Sequence, residues 1–264
     1  MVITDAPLVL VVDDHPINRT LLARQIRLLG LSATIAENAR VGMELWRDGR
    51  FAMIITDCHM PDMEGYEMTR AIRKIEAIEG RPRTPVIAWT ANALKEDQIR
   101  IKAAGMDELL AKPVNLHVLR ALLSGWLRPN ENDSKVTEVK MSSTGVKQTV
   151  HTSSPINYSV LDASLTNKDE QTQLLQDFLV HIRGDRIKLD EFLTQDDHAA
   201  MQSAAHRMKG SCLMVGAVHL GNACTTIVEA TRTADIITMR LDVAELDKAL
   251  HDLEKYVGQL TSPI

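Results

Sequence analysis

The chain has 264 residues, 45% of them hydrophobic and 25% charged, the composition of a globular protein long enough for two domains of ordinary size. A formal net charge of -5 speaks against a nucleic-acid partner, which calls for a basic patch, and no run of about 18 apolar residues offers a membrane span. The start, MVITDAPLVLVVDD, lacks the basic residues and cleavage site of a secretory signal, and Cys58, Cys212 and Cys224 have no metal-ligand spacing; the expectation is a cytoplasmic chain whose thiols are small apolar residues in a reducing compartment.

Short apolar runs come first and alternate with helical patterns. Strands are predicted at LVLVV (8–12), SATIA (32–36), FAMIIT (51–56), PVIAW (85–89) and ELLA (108–111), with helices at 17–29, 38–48, 64–78, 95–104 and 115–127. Apolar strands separated by helices make a parallel sheet covered on both faces. Residues 1–128 therefore read as a small doubly wound α/β domain. Residues 129–155, polar and Ser/Thr-rich, read as a flexible linker. From 156 to 264 the period changes. Segments 169–194, 197–213, 217–232 and 236–259 carry apolar residues at helical spacing, such as Leu174, Leu175, Phe178, Leu179 and Ile182. Four helices with short connections predict an antiparallel bundle.

In an open parallel sheet, ligands gather outside the carboxyl ends of the strands. Asp13 and Asp14 follow the first strand, Asp57 the third, Thr90 the fourth, and Lys112 the fifth. Three carboxylates on one edge repel, and their ionised state calls for a cation. Lys112 offsets one charge. Mg2+ suits the remainder, because it takes a few carboxylate oxygens and keeps positions for water and phosphate. A carboxylate beside Mg2+, a lysine and a hydroxyl is equipped to attack phosphorus and become an acyl phosphate. A single acid at a strand end would read as a helix N-cap; matching residues at every one of these ends read as a site.

The stretches LVVDDHPINR, IITDCHMPDMEGYEMTR, VIAWTANA and LLAKPV resemble, in order, the receiver domain of two-component signalling proteins over residues 8–127. The resemblance implies a flavodoxin-like (βα)5 fold around a five-stranded parallel sheet, with Asp57 as phosphoacceptor. It implies Mg2+ on Asp13, Asp14, Asp57 and the backbone carbonyl of His59, with Thr90 and Lys112 on the phosphoryl group and a cis Lys112–Pro113 bond. Pro61 and Gly65 match the loop after the acceptor. Leu109 departs from the pattern: receivers that switch through a threonine–aromatic pair carry Tyr or Phe three residues before the lysine. A phosphoryl waystation has less need of that aromatic.

In the bundle, AAHRMKGSCLMVGA (204–217) places His206, Lys209 and Gly210 at i, i+3 and i+4, on one helix face. A glycine inside a helix costs about 1 kcal/mol relative to alanine, which makes sense where the surface beside the histidine has to stay bare. The stretch AHRMKGSCLMVG is similar to the histidine phosphotransfer (HPt) motif, with His206, Lys209, Gly210 and Gly216 in the matching places. The similarity implies His206 as a second phosphoacceptor. Lys209 would supply positive charge near the transferring group, and Gly210 would leave room for docking. An imidazole with a reference pKa near 6.5 is mostly neutral at pH 7, as attack requires. His15 follows the acidic pair in a position typical of receivers, His181, His198, His219 and His251 show no comparable partners, and Met208, Met214 and Val215 read as packing residues.

Receiver, linker and HPt domain in this order resemble the C-terminal portion of unorthodox hybrid sensor histidine kinases of the BvgS and EvgS type, proteins of the inner membrane. The implied flow runs from the transmitter histidine of the same parent protein to Asp57, then to His206, then to an aspartate of a separate response regulator. No glycine-rich ATP box stands before residue 8, so a fragment that carries phosphate without a kinase catalytic domain is expected. The alternative is a free-standing switch in which the receiver controls docking on the HPt domain. A phosphoaspartate phosphatase would want a second aspartate two residues after the nucleophile, where His59 stands.

Overall fold

The computed structural model describes residues 7–48, 51–91, 95–127, 154–233 and 236–261. Its first part runs β1 (Leu8–Val12), α1 (Pro16–Leu28), β2 (Ser32–Ala36), α2 (Ala39–Arg47), β3 (Met53–Asp57), α3 (Gly65–Glu79), β4 (Val86–Thr90), α4 (Lys95–Ala104), β5 (Glu108–Ala111) and α5 (Leu116–Leu127). The strands form one parallel five-stranded sheet in the order β2-β1-β3-β4-β5, the flavodoxin-like arrangement that was expected. Strands covered on both faces become unbroken apolar runs, and Val9–Val12, Met53–Ile55 and Val86–Trp89 are buried accordingly. On the edge strand β2, Ile35 is exposed. Pairing of Val12 with Thr56, Asp57 with Trp89 and Thr90 with Ala111 brings the carboxyl ends of β1, β3, β4 and β5 to one edge. β3 and β4 each run one residue past the apolar runs, so Asp57 and Thr90 are themselves the last strand residues. Ladder bonds form through the backbone and do not stop where side chains turn polar.

The second part is helical: α6 (Tyr158–Asp162), α7 (Lys168–Thr194), α8 (His198–Val215), α9 (Val218–Thr233) and α10 (Ile236–Thr261). α7 to α10 pack as the expected bundle, α8 against α7 and α9, and α10 against α9 and α7. Phe178, Ile182, Met201, Met208, Ile227 and Leu246 fill its core. The predicted linker lies outside the described residues, apart from Ser154 and Pro155. α6 has no counterpart among the predicted elements, because five residues are too few to show a period. It closes the end of α8: the Asn157 N–H donates to the Gly216 carbonyl at 2.8 Å. Gly216 has φ 74°, and a Cβ there would run into the Asn157 carbonyl oxygen, so the position accepts only glycine.

The bundle packs on the face of the sheet covered by α1 and α5. α1 lies against α7 and α8, and one apolar cluster continues from Val9, Leu22 and Leu119 through Leu161 and Leu165 into the bundle. At the seam, buried Gln25 donates to Ser164 Oγ at 2.7 Å and to the Val114 carbonyl at 3.3 Å. The Arg24–Glu170 pair is half exposed and contributes little. No helix among the described residues is long and apolar enough to cross a membrane.

Candidate functional site

The carboxyl edge of the sheet gathers the predicted residues. Asp13, Asp14 and Asp57 each place a carboxylate oxygen within 4.8 Å of the others. Lys112 Nζ donates to Asp13 Oδ2 and Asp57 Oδ2 at 2.7 Å each and lies 4.5 Å from the centre of the Trp89 ring. The Lys112 N–H donates to the Thr90 carbonyl at 2.8 Å, and the Lys112–Pro113 bond is cis. Asp13 is oriented by the His15 N–H at 2.8 Å and by Asn18 Nδ2 at 3.1 Å. The His59 N–H donates to Asp57 Oδ1 at 3.2 Å, which brings the backbone of residue 59 to the mouth of the site. Gly65, the first residue of α3, passes so close that a Cβ would meet the Asp57 carbonyl oxygen.

Burial sets the electrostatics. It raises the pKa of Asp13, and it pushes Asp14 up to about 7, with the charges of Asp13 and Asp57 adding to the effect. Burial also disfavours charge on Lys112, but the two carboxylates it bridges reverse this and hold its pKa above the ordinary lysine value. Asp14 Oδ1 is buried without a partner. Three acids against one internal ammonium leave a pocket short of positive charge, lined by hard oxygen donors, and that donor set fits a divalent cation.

The bundle presents its predicted residues to this same pocket. The His206 ring stands 4.6 Å from the His59 ring, nearly edge-on, and its Nε2 is buried without a partner. A Cβ on Gly210 would sit 3.6 Å from Lys112 Nζ, so the bare patch of α8 lies over Lys112. Burial lowers the His206 pKa to about 3, helped by the positive fields of His59, Lys112, Lys209 and Arg232; the ring is neutral at pH 7. Lys209 lies half-buried on the same helix, and burial lowers its pKa. Beside the ring, His59, Glu64, Arg100, Gln202, His206 and Arg232 line a cleft of about 340 Å³. Chemically, the assembly offers an anionic oxygen nucleophile, a cation pocket and a neutral imidazole at its mouth.

Several contacts at this seam were not read from the sequence. His181, taken there as unpartnered, stacks edge-on to His15 with ring centres 5.7 Å apart; away from the seam, in the α7–α8 turn, His198 pairs with Asp196 at 3.0 Å. Arg207 bridges Asp14 and Asp185. One signal for the last was present: Asp185 falls on the apolar stripe of α7 that includes Ile182 and Leu189, all buried, and an acid on such a stripe calls for a partner.

The family of response regulator receiver domains matches residues 9–124, and the Hpt domain family matches residues 173–256. The chain is 34% identical to virulence sensor protein BvgS of Bordetella bronchiseptica over 215 residues, 79% of this chain and 17% of that protein. It is 25% identical to signal transduction histidine-protein kinase BarA of Escherichia coli over 259 residues, 95% of this chain and 27% of that protein. It thus spans less than a third of the length of these curated relatives. Among solved structures, the receiver domain of sensor histidine kinase PA1611 of Pseudomonas aeruginosa, with a magnesium ion coordinated in its active site cleft, is 34% identical at a TM-score of 0.42, covering 46% of this chain and 98% of that one.

Proposed function

A receiver domain followed by an Hpt domain, as in the C-terminal parts of hybrid sensor kinases, makes this chain a member of the two-component phosphorelay proteins, and on that premise we propose that it passes a phosphoryl group from a histidine kinase to a response regulator. Asp57 is the first acceptor. Its carboxylate oxygen forms a bond to phosphorus as the N–P bond of the kinase phosphohistidine breaks, while Thr90 and Lys112 hold the phosphoryl oxygens. Asp13, Asp14, Asp57 and the His59 backbone carbonyl would hold Mg2+, which when bound neutralises charge on the transferring group. In the second step the unprotonated nitrogen of His206 bonds to phosphorus as the P–O bond to Asp57 breaks and the carboxylate is released. Gly210 keeps the approach over Lys112 clear, and Lys209 adds positive charge. His206 then serves the aspartate of a separate response regulator. On this reading the chain acts in the cytoplasm, as part of a sensor kinase anchored in the inner membrane.

What carries the proposal is the meeting of the two sites: His206 against His59, two residues beyond Asp57, with Gly210 over Lys112. The same contact supports a second reading, in which the receiver governs access to His206 by sitting on it.

Incubating the chain with Mg2+ and acetyl phosphate is expected to give an alkali-labile label at Asp57 that moves to an acid-labile label at His206. Asp57→Asn removes both, and His206→Gln leaves the first. Equal labelling of Asp57→Ala protein at the same position on the gel of acid-stable products would dispose of the acceptor assignment. Undiminished arrival at His206 from a kinase when Asp57→Asn is present would leave the switch as the better reading.

A further inference from the structure

Arg207 follows the proposed phosphohistidine directly, yet it points to a different partner. Its Nε lies 3.4 Å from Asp14 Oδ2, and its Nη2 lies 2.9 Å from Asp185 Oδ1 on α7, with all three side chains largely buried. A guanidinium can serve two carboxylates at once along its planar fork. Asp14 is approached on one oxygen only; the other, Oδ1, is buried and without a partner. A cation in the acidic pocket and the arginine of the bundle can therefore share this carboxylate from opposite oxygens.

We infer that Arg207 is a positioning residue for transfer between the two domains: it registers the His206 helix on the receiver by holding the outer oxygen of Asp14, and Asp185 holds Arg207 in that pose. The inference rests on the relay reading above. The pocket carries three acids against Lys112, and Arg207 supplies a second positive charge at its rim. Two consequences follow from one contact. The bridge sets the angle at which α8 meets the pocket, and reactions of this kind lose rate steeply with small misplacements. It also places a cation next to a metal-binding carboxylate, which weakens metal binding by charge repulsion.

The test uses the full chain. With acetyl phosphate and Mg2+, the rate at which label leaves Asp57 for His206 is measured at equal label on Asp57. Arg207→Ala is expected to slow this step about tenfold, and Arg207→Lys, which keeps the charge but not the fork, recovers part of the loss. Magnesium affinity is read separately, from the fluorescence of Trp89 beneath Lys112. Arg207→Ala is expected to bind Mg2+ about threefold more tightly, while Asp185→Asn, which loosens the arginine without removing its charge, slows transfer with a smaller change in affinity. Transfer at the unaltered rate in Arg207→Ala protein overturns the inference alone, and so does slower transfer with unchanged or weaker magnesium binding, the mark of a merely structural residue. If the unaltered chain takes no label at Asp57, the relay reading falls and takes this inference with it.

Discussion

Single positions in this protein are decided by distance more than by residue class. At Gly210 a methyl group would stand at ordinary contact distance from Lys112, 3.6 Å from Nζ and 3.7 Å from Cδ. The space above it is therefore a matter of size. Gly210→Ala is expected to pass label from Asp57 to His206 at close to the parent rate, whereas Gly210→Leu blocks the step while the bundle stays folded. Transfer assays with circular dichroism on both variants check this, and unaltered kinetics in the leucine variant would remove the account of this glycine. Gly216 is constrained differently. Its φ of 74° is strained for any side chain, and a Cβ would press on the Asn157 carbonyl. Gly216→Ala is expected to cost about 2 kcal/mol in urea unfolding, even though the residue lies outside the reacting groups.

Among the elements, those that build the reacting edge were legible because function and fold use the same signal. Four of the five strands, β1, β3, β4 and β5, end at or just before a candidate site residue, so finding the strand finds the residue. The same holds for α8, where His206, Lys209 and Gly210 share a face by spacing alone. Other features had no such mark. α6 is too short to have a period, and Gln25 on α1 and Ser164 in the turn after α6 are ordinary polar residues until the bundle sits down on α1. Arg207 is one residue from His206, and neighbours in sequence point to different sides of a helix, so its partnership with Asp14 depends on how two domains meet. Periodicity within an element cannot encode that angle.

For the molecule as a whole, the acidic pocket ties stability to pH and to metal. Asp14, largely buried and with one oxygen lacking a partner, has its carboxyl raised from 3.8 to about 7, chiefly by burial. Between those values the folded metal-free chain holds a proton that the unfolded chain has released, so stability falls as pH rises through that window. A divalent cation competes with that proton. Magnesium at about a hundred times its Kd is expected to add about 2.7 kcal/mol at pH 8 and clearly less at pH 5, where the proton already neutralises the site. Thermal melts with and without Mg2+ at the two pH values check this; an equal increment at both would show that Asp14 is not the group responsible.

The seating of His206 at the mouth of the receiver pocket, within one continuous apolar cluster, has a kinetic consequence. Two groups carried by the same polypeptide meet at an effective concentration fixed by their tether and not by the abundance of the protein. Under the proposed relay, the handover from aspartate to imidazole would be first order, and a cell holding a handful of copies would relay as promptly per molecule as one holding thousands. Only the proposed exit to a separate regulator would still feel dilution.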